Sequence, residues 1–215
     1  MFRFSPSISL TLQLLTAVSW TAAYALAIRR SLLDRTTSFP AIAVGLNLTW
    51  EMLFVFRYPQ AGLQGGVNVL WLVLDLILAW TTVSFASSLR VSGGFQLPVA
   101  VWFPGLVALS YVINLELTAL SGSYDGGLSA FVINLAMSVA FVWMGTNRRD
   151  IQGQSVLIAA LKLLGSLASA IEYQQYLNNY WPVGLFLAIF VFDVWYLVLI
   201  GRRQRTASIG MFARI

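Results

Sequence analysis

Apolar residues run through the chain in seven long blocks, and short polar or glycine-rich breaks separate each block from the next. A helix needs about twenty apolar residues to cross a bilayer. The blocks are close to that length, so the pattern predicts seven transmembrane helices in a single domain over residues 1–215. The predicted spans are Ile8–Ile28, Phe39–Phe56, Val67–Ala86, Leu97–Leu117, Gly127–Met144, Ser155–Ile171 and Trp181–Ile200.

Prolines mark several of these boundaries. Pro40, Pro98 and Pro182 lie near the starts of the second, fourth and seventh spans, where a missing backbone N–H costs a helix little. Pro104 lies inside the fourth span and predicts a kink there. The first block is long enough to span a bilayer, which favours a retained helix over a cleaved signal peptide.

The composition agrees with a polytopic, all-α membrane protein. Hydrophobic residues make up 59% of the chain and charged residues 10%, which is too little charge to cover a soluble globule of 215 residues. The sequence contains no Cys and no His, which removes thiol nucleophiles, disulfides, imidazole bases and the usual zinc or haem ligands. Carboxylates, amides, hydroxyls, aromatic rings, Arg and one Lys remain for chemistry, and no cofactor or metal is predicted.

The net charge of +5 comes from residues between the apolar blocks, where they meet membrane lipid headgroups, and nucleic-acid binding is not expected. Only Arg3, before the first span, and Arg57, after the second, fall on the side of the membrane opposite to the other arginines. The positive-inside rule therefore predicts an outer N-terminus and a cytoplasmic C-terminus. The basic residues that follow odd-numbered spans are Arg29, Arg30, Arg35, Arg90, Arg148, Arg149, Arg202, Arg203, Arg205 and Arg214.

Four charged residues lie well inside predicted spans: Glu51, Asp75, Lys162 and Asp193. A charge in the bilayer centre costs about 2.5–3.5 kcal/mol on insertion scales, so such residues usually face the bundle interior and have a function. The helical rise places Glu51 and Asp75 at a similar level, with Asp193 a turn or two deeper. Lys162 and Asp193 also come to a similar depth on adjacent helices, and a structural ion pair is the alternative role for Asp193.

Amides accompany these charges. Asn47 precedes Glu51 by four residues, so the two side chains share a helix face, and we expect the amide to hydrogen-bond the carboxyl. Asn114 and Asn134 offer further amides, although all three can simply join helices, and Asp75 can do the same. Burial disfavours the charged form of a carboxyl held by neutral amides. The sequence therefore predicts a protonated Glu51, available as an acid.

Aromatic residues near this level are predicted to line a cavity, although ordinary packing explains any one of them equally well. They are Trp50, Phe54, Trp71, Tyr111 and Trp143. Trp20 and Tyr24 lie nearer a span end and are predicted to be anchors at the membrane interface.

Three functions compete on this pattern. A retinal-type photoreceptor is disfavoured because the one Lys lies on the sixth span rather than the last. A small proton-coupled transporter would use buried carboxylates as a proton relay, but the sequence shows neither the internal repeat nor the paired broken helices that many transporters have. Acid-initiated cyclisation of a prenyl chain needs a proton donor, a dry pocket and aromatic faces, all of which are predicted here. Neither DDxxD nor DxDD occurs, so the acid would be an isolated membrane carboxyl.

The stretch NLTWE, Asn47 to Glu51, together with Asp193 in FVFDVWY, resembles the small membrane-integral terpene cyclases. That family serves fungal meroterpenoid and indole-diterpene pathways and has actinobacterial relatives that make drimentine-type indole sesquiterpenes. The resemblance implies that Glu51 and Asp193 form the essential acidic pair and that no metal is required. The compact size and Arg-rich loops are more similar to the bacterial branch. They imply a bacterial cytoplasmic membrane and, as substrate, an unoxidised farnesyl group on an indole diketopiperazine.

The sequence leaves several points open. These are the product stereochemistry, the choice between alkene and epoxide protonation, the order of roles of Glu51 and Asp193, the final base and the oligomeric state.

Overall fold

The computed structural model describes residues 3–87, 89–90, 96–122, 124–148, 150–177, 181–208 and 210. These residues form a multi-pass, all-α membrane protein, as predicted. The helices are α1 (Pro6–Asp34), α2 (Ala41–Met52), α3 (Gly62–Phe85), α4 (Val99–Ser121), α5 (Gly127–Asn147), α6 (Val156–Tyr173) and α7 (Trp181–Thr206). A π-helical turn, Leu53–Arg57, continues α2, and a 3-10 turn, Gln174–Tyr176, follows α6. The short strands β1 (Leu89–Arg90) and β2 (Gln96–Leu97) pair antiparallel.

The first helix is longer than the hydrophobic pattern predicted. Its start is capped by Ser5, whose hydroxyl accepts a hydrogen bond from the Ile8 N–H, with Pro6 at the first helical position. It ends at Asp34 instead of at Ile28, and Arg30 and Asp34 form an ion pair at 3.6 Å within the added turns. These turns are polar, so apolar length alone did not reveal them.

Six of the helices form a closed ring in the order α1, α3, α2, α5, α7 and α6, with α6 packing back on α1. Helix α4 lies outside the ring and packs mainly on α2. Asn114 of α4 donates hydrogen bonds to the Leu46 carbonyl at 2.8 Å and to the Thr49 hydroxyl at 2.9 Å. A Cβ on Gly45 of α2 would lie 2.9 Å from the Ser110 hydroxyl, so glycine permits this close approach.

Within the described residues, six helices are long and apolar enough to cross a membrane. Helix α2 is the exception, since its regular part covers only Ala41–Met52 before the π-helical turn. It is surrounded by α3, α4 and α5, which explains why most of its residues are buried. A seventh span and the predicted orientation stay predictions. Arg149 and Arg214, which contributed to that orientation, lie outside the described residues.

Aromatic packing closes the ring on one side of its centre. Phe141 of α5 contacts the Phe39 ring, with centroids 4.9 Å apart, and the Tyr196 ring of α7, at 5.0 Å. Tyr24 of α1 joins the same cluster through Phe39, at 5.5 Å. These rings pack together between α1, α5 and α7.

Candidate active site

A cavity of about 500 Å³ lies inside the ring, between α1, α2, α3, α5 and α6. This volume is within the usual range for small-molecule sites. Its inner end is formed by aromatic and amide side chains, and its outer end by polar residues where α2 and α6 end and α3 and α5 begin. The lining residues are Gln13, Thr16, Trp20, Tyr24, Asn47, Trp50, Glu51, Gln60, Ala61, Gln64, Trp71, Asp125, Gly127, Ala130, Phe131, Ile133, Asn134, Met137, Ser169, Glu172, Tyr173 and Tyr176.

Glu51 is the carboxyl that faces this cavity from its inner part. The residue is 4% exposed, and its Oε2 atom has no hydrogen-bond partner within the described part of the chain. Asp75 of α3 is fully buried behind the cavity wall and interacts electrostatically with Glu51. Two carboxyls thus lie near each other without a cation bound to either among the described residues.

Tyr24 connects Asp75 of this pair to Asn47. The Asn47 amide donates a hydrogen bond to the Tyr24 hydroxyl at 2.6 Å, and that hydroxyl in turn donates a hydrogen bond to Asp75 Oδ2 at 3.4 Å. The predicted hydrogen bond from Asn47 to Glu51 is therefore wrong. The phenol of α1 reaches between α2 and α3 and accepts the hydrogen bond from the Asn47 amide, and no bond from Asn47 to Glu51 is present among the described residues.

Two tryptophans form the walls beside Glu51. The Trp50 indole N–H donates to the Ser129 hydroxyl of α5 at 3.0 Å, and the Trp71 indole N–H donates to the Thr21 hydroxyl of α1 at 3.0 Å. Each bond joins two helices across the cavity wall and holds the ring in place. Both side chains line the cavity, where an aromatic face can stabilise a nearby cation.

The other three aromatic residues predicted to line a cavity do not line this one. Phe54 lies behind Trp50, with ring centroids 4.4 Å apart, and Tyr111 packs on the same cluster from α4, outside the ring. Trp143 is 67% exposed on the outer surface of α5. The prediction fails for these residues because depth in the membrane does not determine which way a helix face points.

Trp20 and Tyr24, predicted as interface anchors, are buried residues of the cavity wall. The error follows from the true end of α1, which lies at Asp34 and moves both residues towards the middle of the helix. Other lining residues, including Phe131, Met137 and Tyr173, gave no polar signal in the sequence. They lie among other apolar residues in the sequence, so the hydrophobic pattern did not distinguish them from ordinary packing residues.

Asp193 is placed differently from Glu51. Its Oδ1 atom lies 2.5 Å from the Lys162 ammonium, and both residues are buried between α6 and α7. Lys162 also donates to Ser138 at 2.7 Å and to Asn134 at 3.2 Å, and its ammonium lies 5.5 Å from the Trp20 ring. Asp193 does not line the cavity, and among the described residues its ion pair is with Lys162, which in turn contacts the lining residues Asn134 and Trp20.

Taken together, the cavity combines a buried carboxyl, aromatic walls and few internal polar contacts for that carboxyl. None of the lining residues described above is Lys or Arg. Such a site can deliver a proton to an apolar ligand and can stabilise a positive charge that develops on it.

Comparison with known proteins gives a family match. Residues 2–205 match the model of the Pyr4-like transmembrane terpene cyclases. Terpene cyclase olcD of Penicillium canescens is 26% identical over 77% of this chain and 68% of its own length. Terpene cyclase cle7 of Aspergillus versicolor is 25% identical over 84% and 76%, respectively. The Pyr4-family terpene cyclase mfmH of Annulohypoxylon moriforme is 23% identical over 83% and 77%.

Proposed function

Because the chain belongs to the Pyr4-like transmembrane terpene cyclases, we propose that this enzyme closes rings in a farnesyl chain carried by an indole diketopiperazine. Family membership confirms the resemblance read from the sequence and identifies a terpene cyclase rather than a proton-coupled transporter. Its substrate is accordingly a lipophilic terpenoid. The farnesyl chain, its acceptor and acid initiation are the proposed details.

Glu51 is the proposed acid. Its O–H proton adds to the terminal alkene of the farnesyl chain, whose π electrons form the new C–H bond and leave a cation on the neighbouring carbon. The next alkene then attacks that cation, and its π electrons form the ring C–C bond. Loss of a proton beside the last cation forms a new C=C bond, so the product is an isomer of the substrate. An epoxide would be opened by the same proton at its oxygen.

The observation that carries this proposal is the position of Glu51. It is the one Asp or Glu among the cavity-lining residues described for the inner end, and it lies beside Trp50 without a bound cation. A neutral carboxyl is the favoured state in such an interior, because an unpaired buried charge is costly. Trp50 and Trp71, with Trp20, are the proposed aromatic faces for the migrating cation.

Asp193 has a proposed supporting role. The family resemblance pairs it with Glu51 as an essential carboxyl, while its contact with Lys162 keeps it outside the cavity. We therefore propose that Asp193 acts as the counter-ion that holds Lys162 against Asn134 and Trp20. Asn134 and Asn47 are proposed to fix the inner wall, and Asp75 to support Tyr24.

The enzyme's place in a bacterial cytoplasmic membrane is also a proposal, and the relatives named above are fungal. Multi-pass membrane insertion is expected wherever the chain is expressed, since six of the described helices are long and apolar enough to span a bilayer.

The test uses membranes that contain wild type, Glu51→Gln or the control Glu116→Gln, whose side chain is exposed on α4. Each is incubated with a farnesylated indole diketopiperazine or an epoxidised polyprenyl substrate, with a metal chelator present. General acids contribute about 10²–10⁴-fold to rate, so Glu51→Gln should lose at least about a hundred-fold. Mass spectrometry and NMR should find a ring-closed isomer from wild type and Glu116→Gln. Full activity of Glu51→Gln would refute its role as the acid.

A further inference from the structure

The outer end of the cavity, which we call the mouth, is polar. It is formed by Gln13, Gln60, Gln64, Asp125 and Glu172. Gln64 and Asp125 are exposed, in contrast to the buried Glu51 and Asn47 at the inner end. A ligand in this cavity therefore meets apolar and aromatic walls inside and hydrogen-bonding groups at the mouth.

Glu172 is the best-positioned group at the mouth. Its Oε1 atom accepts hydrogen bonds from Ser9 at 2.9 Å, Gln13 at 3.0 Å, Gln175 at 3.0 Å and Tyr176 at 3.2 Å. These donors come from α1 and from the 3-10 turn after α6, so they hold the carboxylate from two sides. A side chain locked in this way can bind a ligand with little loss of conformational entropy.

The second oxygen of Glu172 is left for a ligand. No hydrogen bond to Oε2 is present among the residues that the structure describes, and Glu172 lines the cavity. A single carboxylate commonly accepts bonds on both oxygens. Glu172 therefore offers one saturated oxygen that fixes the side chain and one open acceptor.

The amides around Glu172 are held in place by hydrogen bonds of their own. The Gln13 amide nitrogen donates to Glu172, that of Gln64 donates to Asn68 at 2.7 Å, and that of Gln60 donates to the Asp125 carbonyl. Gln13 uses both of its N–H groups, since the same nitrogen also donates to Ser9 at 3.3 Å, whereas these bonds use one N–H each of Gln60 and Gln64, and Gln60 Oε1 accepts from Asn68 at 3.1 Å. Glu172 and Asp125 place two carboxylates at the mouth, and Arg3 interacts electrostatically with Tyr176 at its edge.

We propose that Glu172 determines head-group specificity by accepting a hydrogen bond from an N–H or O–H group on the polar end of the substrate. The prenyl tail then points inward to Glu51, and the mouth rejects anionic head groups such as diphosphate. This inference rests on the proposed function, because it assumes that the cavity holds a prenylated substrate. An indole diketopiperazine meets this requirement, because its indole and amide N–H groups can donate a hydrogen bond to Glu172.

The test keeps the farnesyl tail constant and varies the head. Three probes are used: the farnesylated indole diketopiperazine, its fully N-methylated analogue, and farnesyl diphosphate. Binding is measured by calorimetry in detergent on protein carrying Glu51→Gln, in which bound ligand is not consumed. The same titrations are repeated after adding Glu172→Gln or the control Glu116→Gln, and thermal melting verifies that each variant is folded.

Hydrogen bonds to charged groups contribute enough for about a ten-fold effect on affinity. N-methylation should therefore weaken binding about ten-fold, and farnesyl diphosphate should bind more weakly than the parent probe. Glu172→Gln should shrink the difference between the parent and the N-methylated probe, whereas Glu116→Gln should preserve it. A purely structural role of Glu172 would weaken both probes equally and would overturn the proposal.

Two further outcomes separate the proposals from each other. Equal or tighter binding of farnesyl diphosphate would overturn the role of Glu172 while leaving the cavity as a farnesyl site. Failure of all three probes to bind folded protein would overturn the proposed substrate and this inference with it. If Glu172→Gln does not fold, the comparison between the parent and N-methylated probes on the Glu51→Gln protein still decides whether head-group donors are recognised.

Discussion

Tyr24 occupies the point where the polar groups of three helices meet. Its hydroxyl accepts from Asn47 of α2 and donates to Asp75 of α3 while the ring itself belongs to α1. This position requires a hydroxyl, because the group must accept a hydrogen bond from the Asn47 amide on one side and donate one to the Asp75 carboxyl on the other. The position of Glu51 beside this cluster depends on that arrangement.

Replacing Tyr24 with Phe should therefore lower cyclisation and stability. The change removes one acceptor and one donor and leaves the Asn47 amide and Asp75 unpaired in a buried site, at about 1–3 kcal/mol for each group. We expect at least about a ten-fold loss in turnover and a lower melting temperature in detergent, measured on purified protein with the farnesylated substrate.

Tyr196→Phe is the matched control. Tyr196 is as deeply buried as Tyr24, but its hydroxyl has no hydrogen-bond partner within the described residues. Removing it should leave turnover and melting near those of wild type. Equal behaviour of the two variants would show that the Tyr24 hydroxyl contributes nothing to the site.

Helices α5, α6 and α7 are joined by a buried polar cluster centred on Lys162. The ammonium of α6 reaches Asp193 of α7 and both Asn134 and Ser138 of α5. This cluster lies directly behind the cavity wall, since Asn134 lines the cavity. Its loss should affect the arrangement of the three helices before it affects the chemistry.

We predict that Asp193→Asn alone is strongly destabilising, because it leaves the Lys162 charge buried without its counter-ion, at about 3–5 kcal/mol. The double variant Asp193→Asn, Lys162→Met removes both charges and should recover most of the stability and activity. Melting temperature and turnover are measured on wild type, both single variants and the double variant. A double variant that is stable but inactive would instead assign Asp193 a direct part in proton transfer.

The hydrophobic pattern predicted which segments are helical better than it predicted how each helix is rotated. In helix α5 the buried polar residues Ser129, Asn134 and Ser138 mark the inner face, and Trp143, about two and a half turns after Asn134, lies on the opposite face, which depth in the membrane alone does not show. Charged residues carried more information, because burying them outside the bundle interior is costly. Glu51 and Asp75 were recognisable for that reason, whereas Trp20 was misplaced together with the end of α1.

Contacts between segments that are far apart in the sequence could not be predicted from it, for a different reason. The four donors around Glu172 come from opposite ends of the chain, with Ser9 and Gln13 on α1 and Gln175 and Tyr176 after α6. Only the closure of the ring, in which α6 packs on α1, brings them together. Glu172 therefore appeared in the sequence as an ordinary polar residue at a span end.

The cavity and the predicted orientation together imply a direction of access. The mouth includes Asp125, between α4 and α5, and the positive-inside rule places that loop on the non-cytoplasmic side. The loop between α5 and α6, which contains Asp150, is predicted to be cytoplasmic. Substrate would then enter from the outer leaflet or the outer aqueous face, and the aromatic cluster of Phe39, Phe141 and Tyr196 would close the cytoplasmic side.

Cysteine labelling tests this orientation, and the natural absence of Cys makes the unmodified chain a clean background. Tyr124→Cys and Asp150→Cys replace exposed residues in the two loops. In intact cells a membrane-impermeant maleimide should label Tyr124→Cys and spare Asp150→Cys, whereas permeabilised cells should label both. The reverse pattern would invert the topology and make the mouth cytoplasmic. Labelling of both in intact cells would contradict an odd number of spans between the two loops, because α5 alone separates them.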